Sequence, residues 1–394
     1  MPFRLAAAAQ AGILFDTFHI QRHLGDALDE VRTHEYMRVR SRTPGFTHPT
    51  SRRPSVVLPP VNAAVLHAPR SLTVEQTTVP SAGAGEVTVR VSAAGLCGTD
   101  YRIWSGERAV TYPRVMGHEF VGRIAALGVE VTHLTVGDRV VVEPNYSCGR
   151  CPLCREGNRN LCLSRTAIGI DVDGGFAEEV CVPARCCWRI PDSVSDLDAV
   201  LTEPLAVVVR AVARGAPRAG ESAAVVGAGN LGLLALQVLR ARGVRVLALA
   251  RTATRLPQAR ALGAEAVHVV AEGAVESAAR RFSGREGVDL VIETAGTPAA
   301  VTHALAIVRP GGRVVLTGLP HEPTPVAFFS VVRREVTIIG SMIYQDEFPE
   351  ALRLISSGQV SVAPLVTHRF PLAEIGAAFT AHRDPASIKV ALLF

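Results

Sequence analysis

No stretch of this 394-residue chain is apolar for long enough to cross a bilayer, and Leu5 to Leu14 is too short and interrupted for a signal peptide. A membrane is therefore not an expected partner, and the cytoplasm is the expected compartment. Charge of one sign is also missing over most of the chain. The formal excess of +5 is concentrated in the first sixty residues, at Arg4, Arg22, Arg32, Arg38, Arg40, Arg42, Arg52 and Arg53. The remainder is close to balanced, which removes the charge argument for nucleic acid. Charged residues make up only 20% against 48% hydrophobic, which excludes a disordered chain and leaves a soluble globular one. The length suits two domains of ordinary size.

What is present is unevenly distributed. Residues 1–60 differ in character from the rest of the chain. Arg38 to Pro60 is rich in Arg, Pro, Ser and Thr and reads as a linker. Before it lie one strand-like segment, Gly12 to His19, and a helical stretch from Leu24 to Arg38. The octet resembles a strand end in sugar isomerase and epimerase barrels, but so short a fragment cannot build a barrel. Residues 1–60 are expected to be a disordered or atypical extension outside the fold.

From Ala63 to about Pro191 the pattern is β-rich, with runs such as Val87 to Val91 and Arg139 to Val142 punctuated by Gly and Pro. Between Ser222 and Gly340 it changes to apolar strands alternating with helices. The expected strands are Ala223–Val226, Val244–Ala250, Val288–Glu293, Gly312–Thr317 and Glu335–Gly340. Such alternation predicts an α/β fold with a doubly wound parallel sheet. The expected organisation is a β-rich domain over 61–207 with a lobe at 144–165, a nucleotide-binding domain over 208–343, and a return to the first domain over 344–394.

Ala223 to Gly232 is a strand running into Gly-x-Gly-x-x-Gly and then an apolar helix, Leu233 to Arg240. Gly227 permits the tight turn, Gly229 lets the backbone approach a pyrophosphate, and Gly232 lets helix pack on strand. The turn Gly227 to Gly232, with Asn230 and Leu231 inside it, also gives the phosphates a helix N-terminus. A lone glycine triplet is weak evidence; this one has the right strand before it and the right helix after it. An NAD-preferring site usually carries Asp or Glu at the end of the second strand. Here that position is Ala250, followed by Arg251, Thr252 and Arg255. Missing carboxylate and present guanidinium favour a 2′-phosphate, hence NADP over NAD. The plainer alternative is that Arg251 is a solvated loop residue and either cofactor is accepted.

Of the eight cysteines, four lie in Cys148-x2-Cys151-x2-Cys154-x7-Cys162. Clustering of this kind reads as metal binding before disulfides. Four thiolates fill a tetrahedral zinc completely, so the site is structural. An iron–sulfur cluster or a nucleic-acid zinc ribbon is the alternative, but the loop lacks the aromatic and basic interleaving a ribbon wants. A second constellation is Cys97-Gly-Thr-Asp100, then Gly117-His118-Glu119, then Glu203-Pro204. A catalytic zinc needs three protein ligands and an open position. Cys97 and His118 supply two, and either Glu119 or Glu203 supplies the third. Cys181, Cys186 and Cys187 read as packing residues.

Together these segments closely resemble the zinc-dependent branch of the medium-chain dehydrogenases, from about Ala63 to Phe394. Glu203-Pro-Leu-Ala-Val looks like the sorbitol and polyol enzymes. Arg334 to Ser341 and Phe348-Pro349 look more like butanediol and threonine dehydrogenases. The resemblance implies a GroES-like catalytic domain, a Rossmann domain, two zinc ions per chain, and oxidation of a secondary alcohol, a small diol, polyol or sugar-like compound. Carried onto this chain, Cys97 and His118 hold the catalytic zinc and Glu119 ligates it or stands just behind. Glu203 ligates it or meets the substrate through zinc-bound water, and Thr99 takes the alcohol proton. Many relatives have a proton-relaying His five positions after the first Cys; here it is Arg102, which does not deprotonate near neutrality. The resemblance also suggests a homodimer or tetramer, joined through the edge of the Rossmann sheet. Rival readings are the same chemistry on L-threonine or an aldose, a zinc-free reductase of this fold, and a non-catalytic nucleotide-binding protein.

Overall fold

The computed structural model describes residues 60–394. The expectation of an extension over 1–60 falls almost wholly outside the described residues.

The β-rich part is built on the strand Glu86–Leu96, in which Val87, Val89 and Val91 are buried while Arg90 faces solvent. It is the centre of a seven-stranded sheet. On one side lie Glu119–Leu127, Arg139–Val142 and Cys187–Arg189; on the other lie Lys389–Leu393 and Val366–Pro371. Glu179–Pro183 pairs with the same central strand. The C-terminal strand therefore returns to the first sheet, pairing antiparallel with residues 93–96. A smaller sheet joins Val61–Ala68 to Ser71–Thr77 and Arg114–Val115.

The second sheet has six parallel strands, ordered Ala266–Val269, Arg245–Ala250, Ser222–Val226, Val288–Glu293, Val308–Leu316 and Thr337–Gly340. Numbered along the chain this is 3-2-1-4-5-6, the dinucleotide-binding order. Every residue of Ser222–Val226 is buried. Ala223 and Val225 join one apolar cluster, Ala224 and Val226 another. That alternation is why the strand reads as unbroken apolar sequence: both faces are covered by helices.

Ala266–Val269 was not among the expected strands. It is four residues long, all only half-buried, with a His inside, so it carries no strong apolar run. The fifth strand begins earlier than expected, at Val308, through an irregular pairing opposite Val288 and Leu290.

The two sheets share one core. The helix Thr202–Gly215 packs Leu205, Ala206, Val208 and Val212 into a cluster that holds Ala93, Val121 and Val141 of the first sheet and Val225, Leu290 and Ile292 of the second.

Gly232 sits where helix Asn230–Ala241 crosses its own strand. A Cβ there would lie 1.7 Å from the Gly227 carbonyl oxygen, which is backbone and cannot swing aside. Gly232→Ala is therefore expected to cost about 1–3 kcal/mol or more by overpacking. Urea unfolding measures this, and an unchanged midpoint would show that helix and strand tolerate the added methyl.

Candidate active site and metal centres

Cys97 directly follows the central strand and caps the helix Gly98–Ser105. Asp100, the third residue of that helix, reaches back so that its Oδ2 accepts the Cys97 backbone N–H at 2.9 Å. This reciprocal first-turn geometry explains the Cys-x-x-Asp spacing. Asp100 is fully buried, and its other oxygen lies 3.2 Å from His118 Nδ1, although neither atom completes an aligned hydrogen bond. His118 and Glu119 arrive at the start of the neighbouring strand Glu119–Leu127. Cys97, His118 and Glu119 thus offer ligand atoms all within 4.8 Å of one another.

Burial works against a charged His118, but Asp100 and Cys97 overcome it and raise its pKa well above the ordinary imidazole value. A buried pocket with that much negative character is one a metal cation fits. The thiolate, imidazole and carboxylate are a zinc donor set, and Asp100 stands where a ligand-orienting carboxylate belongs.

Glu203 lies outside that tight group, at the buried first turn of helix Thr202–Gly215. Burial pushes its carboxyl up to about 7; Glu119 adds to the rise, while His118, Lys389 and the Tyr344 hydroxyl pull the other way. Thr99 is half-buried in the first turn after Cys97.

Sequence reasoning missed Lys389. This buried lysine donates to Glu119 Oε2 at 2.5 Å and lies 3.4 Å from the Leu96 carbonyl. Burial disfavours its charge, but Glu119, Cys97 and Glu203 hold its pKa above the usual lysine value. The absence of a side chain at Gly95 makes room for the pair, since a Cβ there would sit 2.3 Å from the same Glu119 oxygen. A lone Lys inside Ile388-Lys-Val-Ala-Leu was the available signal.

The cysteine lobe also comes together. Cys148, Cys151, Cys154 and Cys162 lie within 4.8 Å of one another, unpaired by disulfides. Sγ separations are 3.4 Å for Cys151–Cys154, 3.5 Å for Cys148–Cys162 and 3.9 Å for Cys151–Cys162. A zinc tetrahedron with bonds of about 2.3 Å has edges of about 3.8 Å, so the spacing fits. Backbone N–H groups of Leu163 and Cys154 push the Cys151 thiol down to about 6, toward the ligating thiolate. Cys186 and Cys187 are core residues, and burial raises the pKa of both thiols and of Cys181.

The glycine turn opens on a cavity of about 480 Å³ lined by Gly227, Gly229, Ala250, Arg251 and Arg255. Gly227 takes φ +105°, which only glycine adopts readily. Asn230 and Leu231 begin the helix and do not line the cavity; the Asn230 Oδ1 is buried without a partner. Arg255 does more than face the cofactor space: its Nε donates to the Pro385 carbonyl at 3.0 Å and Nη2 to that of Ser387, tying the second sheet's loop to the C-terminal segment. An adjoining cavity of about 470 Å³ shares Arg251, Arg255 and Pro385 with the groove and reaches Gly98 and Arg102, beside the Cys97 cluster.

Comparison with known proteins gives the family. Residues 83–192 match the alcohol dehydrogenase GroES-like domain, and residues 230–357 match the zinc-binding dehydrogenase model. The chain is 35% identical to sorbitol dehydrogenase of Bacillus subtilis over 79% of this chain and 90% of that protein. A zinc-binding dehydrogenase from Sinorhizobium meliloti, solved with NADP, superposes with TM-score 0.82 at 32% identity, covering 86% of this chain and all (100%) of that one. The rspB dehydrogenase of Escherichia coli CFT073, solved with NADH, gives 0.81 at 32%, covering 85% and 99%. The chain belongs to the zinc-binding alcohol dehydrogenase family, with a GroES-like domain and a Rossmann domain. It is an oxidoreductase of the alcohol and polyol class.

Removing one member of a buried ion pair leaves the other charge stranded, a loss of about 3–5 kcal/mol. Lys389→Met is expected to lose stability on that scale in chemical denaturation of the metal-stripped protein. Glu119→Gln/Lys389→Met should recover part of it, and a single variant as stable as the parent would refute the pairing.

Proposed function

We propose that the chain oxidises a secondary alcohol on a small diol, polyol or sugar-like substrate with NADP, using one catalytic and one structural zinc. The observation that carries this reading is the Cys97–His118–Glu119 cluster on the wall next to the glycine-turn groove. These three residues would hold the catalytic ion, and Cys148, Cys151, Cys154 and Cys162 the structural one. Zinc bound at the first site would act as a Lewis acid on the alcohol hydroxyl, drawing its pKa toward neutrality.

Bound NADP would supply the hydride acceptor for the carbinol carbon; with the hydroxyl giving up its proton, the alcohol becomes a ketone. Thr99 accepts that proton through a hydrogen bond. Arg102 cannot carry it further near neutrality, so the path to solvent runs through water or cofactor hydroxyls. Glu203, buried in the first turn of its helix and within the fields of His118 and Glu119, orients a substrate hydroxyl. Gly227, Gly229 and Gly232, with the helix start at Asn230 and Leu231, would seat the pyrophosphate. Arg251 would meet the 2′-phosphate, and Arg255 lines the same space while holding the segment across from it. Neutral Ala250 supports that choice, since no carboxylate stands there to repel a phosphate.

One experiment tests the assignment. Zinc content and oxidation of a diol and polyol panel with NADP and NAD are measured in wild type, Cys97→Ser and Arg251→Ala. Wild type should hold two zinc ions, and Cys97→Ser should lose one together with turnover, by a factor of about 100 or more. Arg251→Ala should lower the NADP-to-NAD preference about tenfold, the worth of one charge-assisted hydrogen bond. Full turnover in Cys97→Ser would sink the reading.

We further infer a homo-oligomer formed through the edge of the Rossmann sheet. Phe328, Phe329 and Val332 on the helix Phe328–Arg333 are 65%, 78% and 75% exposed, beside the edge strand Thr337–Gly340. Such contiguous apolar exposure marks an interface. Light scattering should give at least twice the mass of one chain, and Phe329→Glu/Val332→Glu should shift it to one. A wild type of single-chain mass would exclude the interface.

A further inference from the structure

Arg102 stands where many relatives carry a proton-relaying His, and an imidazole from another part of the chain lies beside it. His382 directly follows the helix Ile375–Ala381 and lines the cleft cavity of about 470 Å³ together with Gly98, Arg102, Arg251 and Arg255. Gly98 lies between Cys97 and Thr99, so one wall of this cavity is the catalytic segment itself. The opposite end opens to solvent, where the lining residues Arg383, Asp384 and Pro385 are exposed.

Packing holds the ring in place. Its centre lies 6.1 Å from that of Tyr101, with the planes 27° apart, and Tyr101 shares the helix Gly98–Ser105 with Thr99. Trp104 and Phe379, with ring centres 5.4 Å apart, join the same two helices. The His382 backbone N–H closes the last helical turn onto Ala378, but its ring nitrogens bond to no group among the described residues. The charges that act on the ring are those of Lys389, Asp100, Glu119 and Arg383, three of them belonging to the groups around the metal cluster. Burial first and Lys389 second lower its pKa to about 4; Asp100 and Glu119 offset part of this, and Arg383 adds to the fall. At neutrality the ring is uncharged, with one N–H to give and one nitrogen free to accept, whereas a guanidinium has no acceptor at all.

We propose that His382 is the outer proton carrier of the site, in the role that Arg102 cannot fill. The alcohol proton leaves through Thr99 and an intervening water or cofactor hydroxyl and is taken up at one ring nitrogen of His382. The proton on the other nitrogen passes to water in the open cavity, so the ring ends as neutral as it began. The inference rests on the dehydrogenase reading above and completes its proton path.

His382→Phe tests it, because the variant keeps an aromatic ring against Tyr101 and removes both nitrogens. Turnover of sorbitol and of a vicinal butanediol is measured with NADP and with NAD in the zinc-loaded enzyme. The kcat of His382→Phe should fall about tenfold, less than the ~100-fold of a group acting directly on the reacting atom, with KM little changed. Imidazole added to the buffer should restore most of it, and so should Arg102→His/His382→Phe, since each returns an imidazole to the same cavity. A second readout needs no turnover. Diethyl pyrocarbonate acylates uncharged imidazole, and peptide mapping of the cofactor-free protein locates the modified residue. A pKa of about 4 leaves His382 uncharged above that value. Its modification rate should therefore stay level from about pH 5.5 to 7.5, where an ordinary imidazole loses its proton and gains reactivity.

Equal turnover by wild type and His382→Phe would overturn the carrier and leave the dehydrogenase reading standing. A loss that neither imidazole nor the Arg102→His replacement repairs would reduce His382 to a packing residue and overturn the proposal as well. So would a His382 that the reagent does not reach in the folded protein. A wild type inactive on both alcohols with either cofactor would instead sink the dehydrogenase reading itself.

Discussion

The site depends on a charge problem. Cys97, Asp100, Glu119 and Glu203 are drawn into one nearly dry region around His118, and Lys389 is the one lysine among them. Left to themselves, so many acidic groups cannot all ionise in a poorly solvated space. The protein answers with protons: His118 is pushed toward its charged form and Glu203 toward its neutral one. Burial causes most of the second shift, while the first registers an excess of negative potential from Asp100 and Cys97. A divalent cation at the centre would satisfy it better than protons do, because it faces thiolate, imidazole and carboxylate at once. Lys389 matters because it fixes Glu119 within that field without blocking the open side.

The position of Lys389 explains what could be read from the chain and what could not. The glycine turn and the four-cysteine lobe are local patterns, complete within a few residues, so spacing alone carries their geometry. Cys97 and His118 are farther apart and were recognisable by conjunction with those patterns. Asp100 was visible in the Cys97 segment, but its part in capping the helix and facing His118 emerges only from the fold. The Glu119–Lys389 pair joins residues 270 apart, through a C-terminal strand that returns beside residues 93–96. No periodicity records such a return. The third parallel strand was missed for the opposite reason, since Ala266–Val269 is an edge piece with no buried face to imprint an apolar pattern. Arg255 was legible as a residue of the cofactor corner, but its bonds to the Pro385 and Ser387 carbonyls depend on contacts across 130 and 132 residues.

Those long-range contacts also explain how two sheets make one site. Cys97, His118 and Glu119 stand on the first sheet, while Glu203 rides on a helix whose apolar side is packed into the second. The relative position of Glu203 and the cluster is therefore set by close packing of Leu205, Val208 and Val212, not by a loop. Close-packed interiors transmit displacement instead of absorbing it. A shift of the Rossmann sheet would carry Glu203 with it.

The cleft between the sheets shows the same dependence in its electrostatics. Arg251 and Arg255 from one side, and Arg102 and Arg383 from the other, line a single cavity with only Glu107 and Asp384 as acids. Burial lowers the Arg255 pKa, and the neighbouring Arg251 lowers it further, while Asp384 offsets part of that. Guanidinium groups facing one another across a gap repel it open unless negative charge lies between them. A nicotinamide dinucleotide bound here would bring two phosphates, and NADP a third. The clasp from Arg255 to the Pro385 and Ser387 carbonyls resists that repulsion, so the groove keeps its shape while the positive potential that attracts the cofactor remains in place.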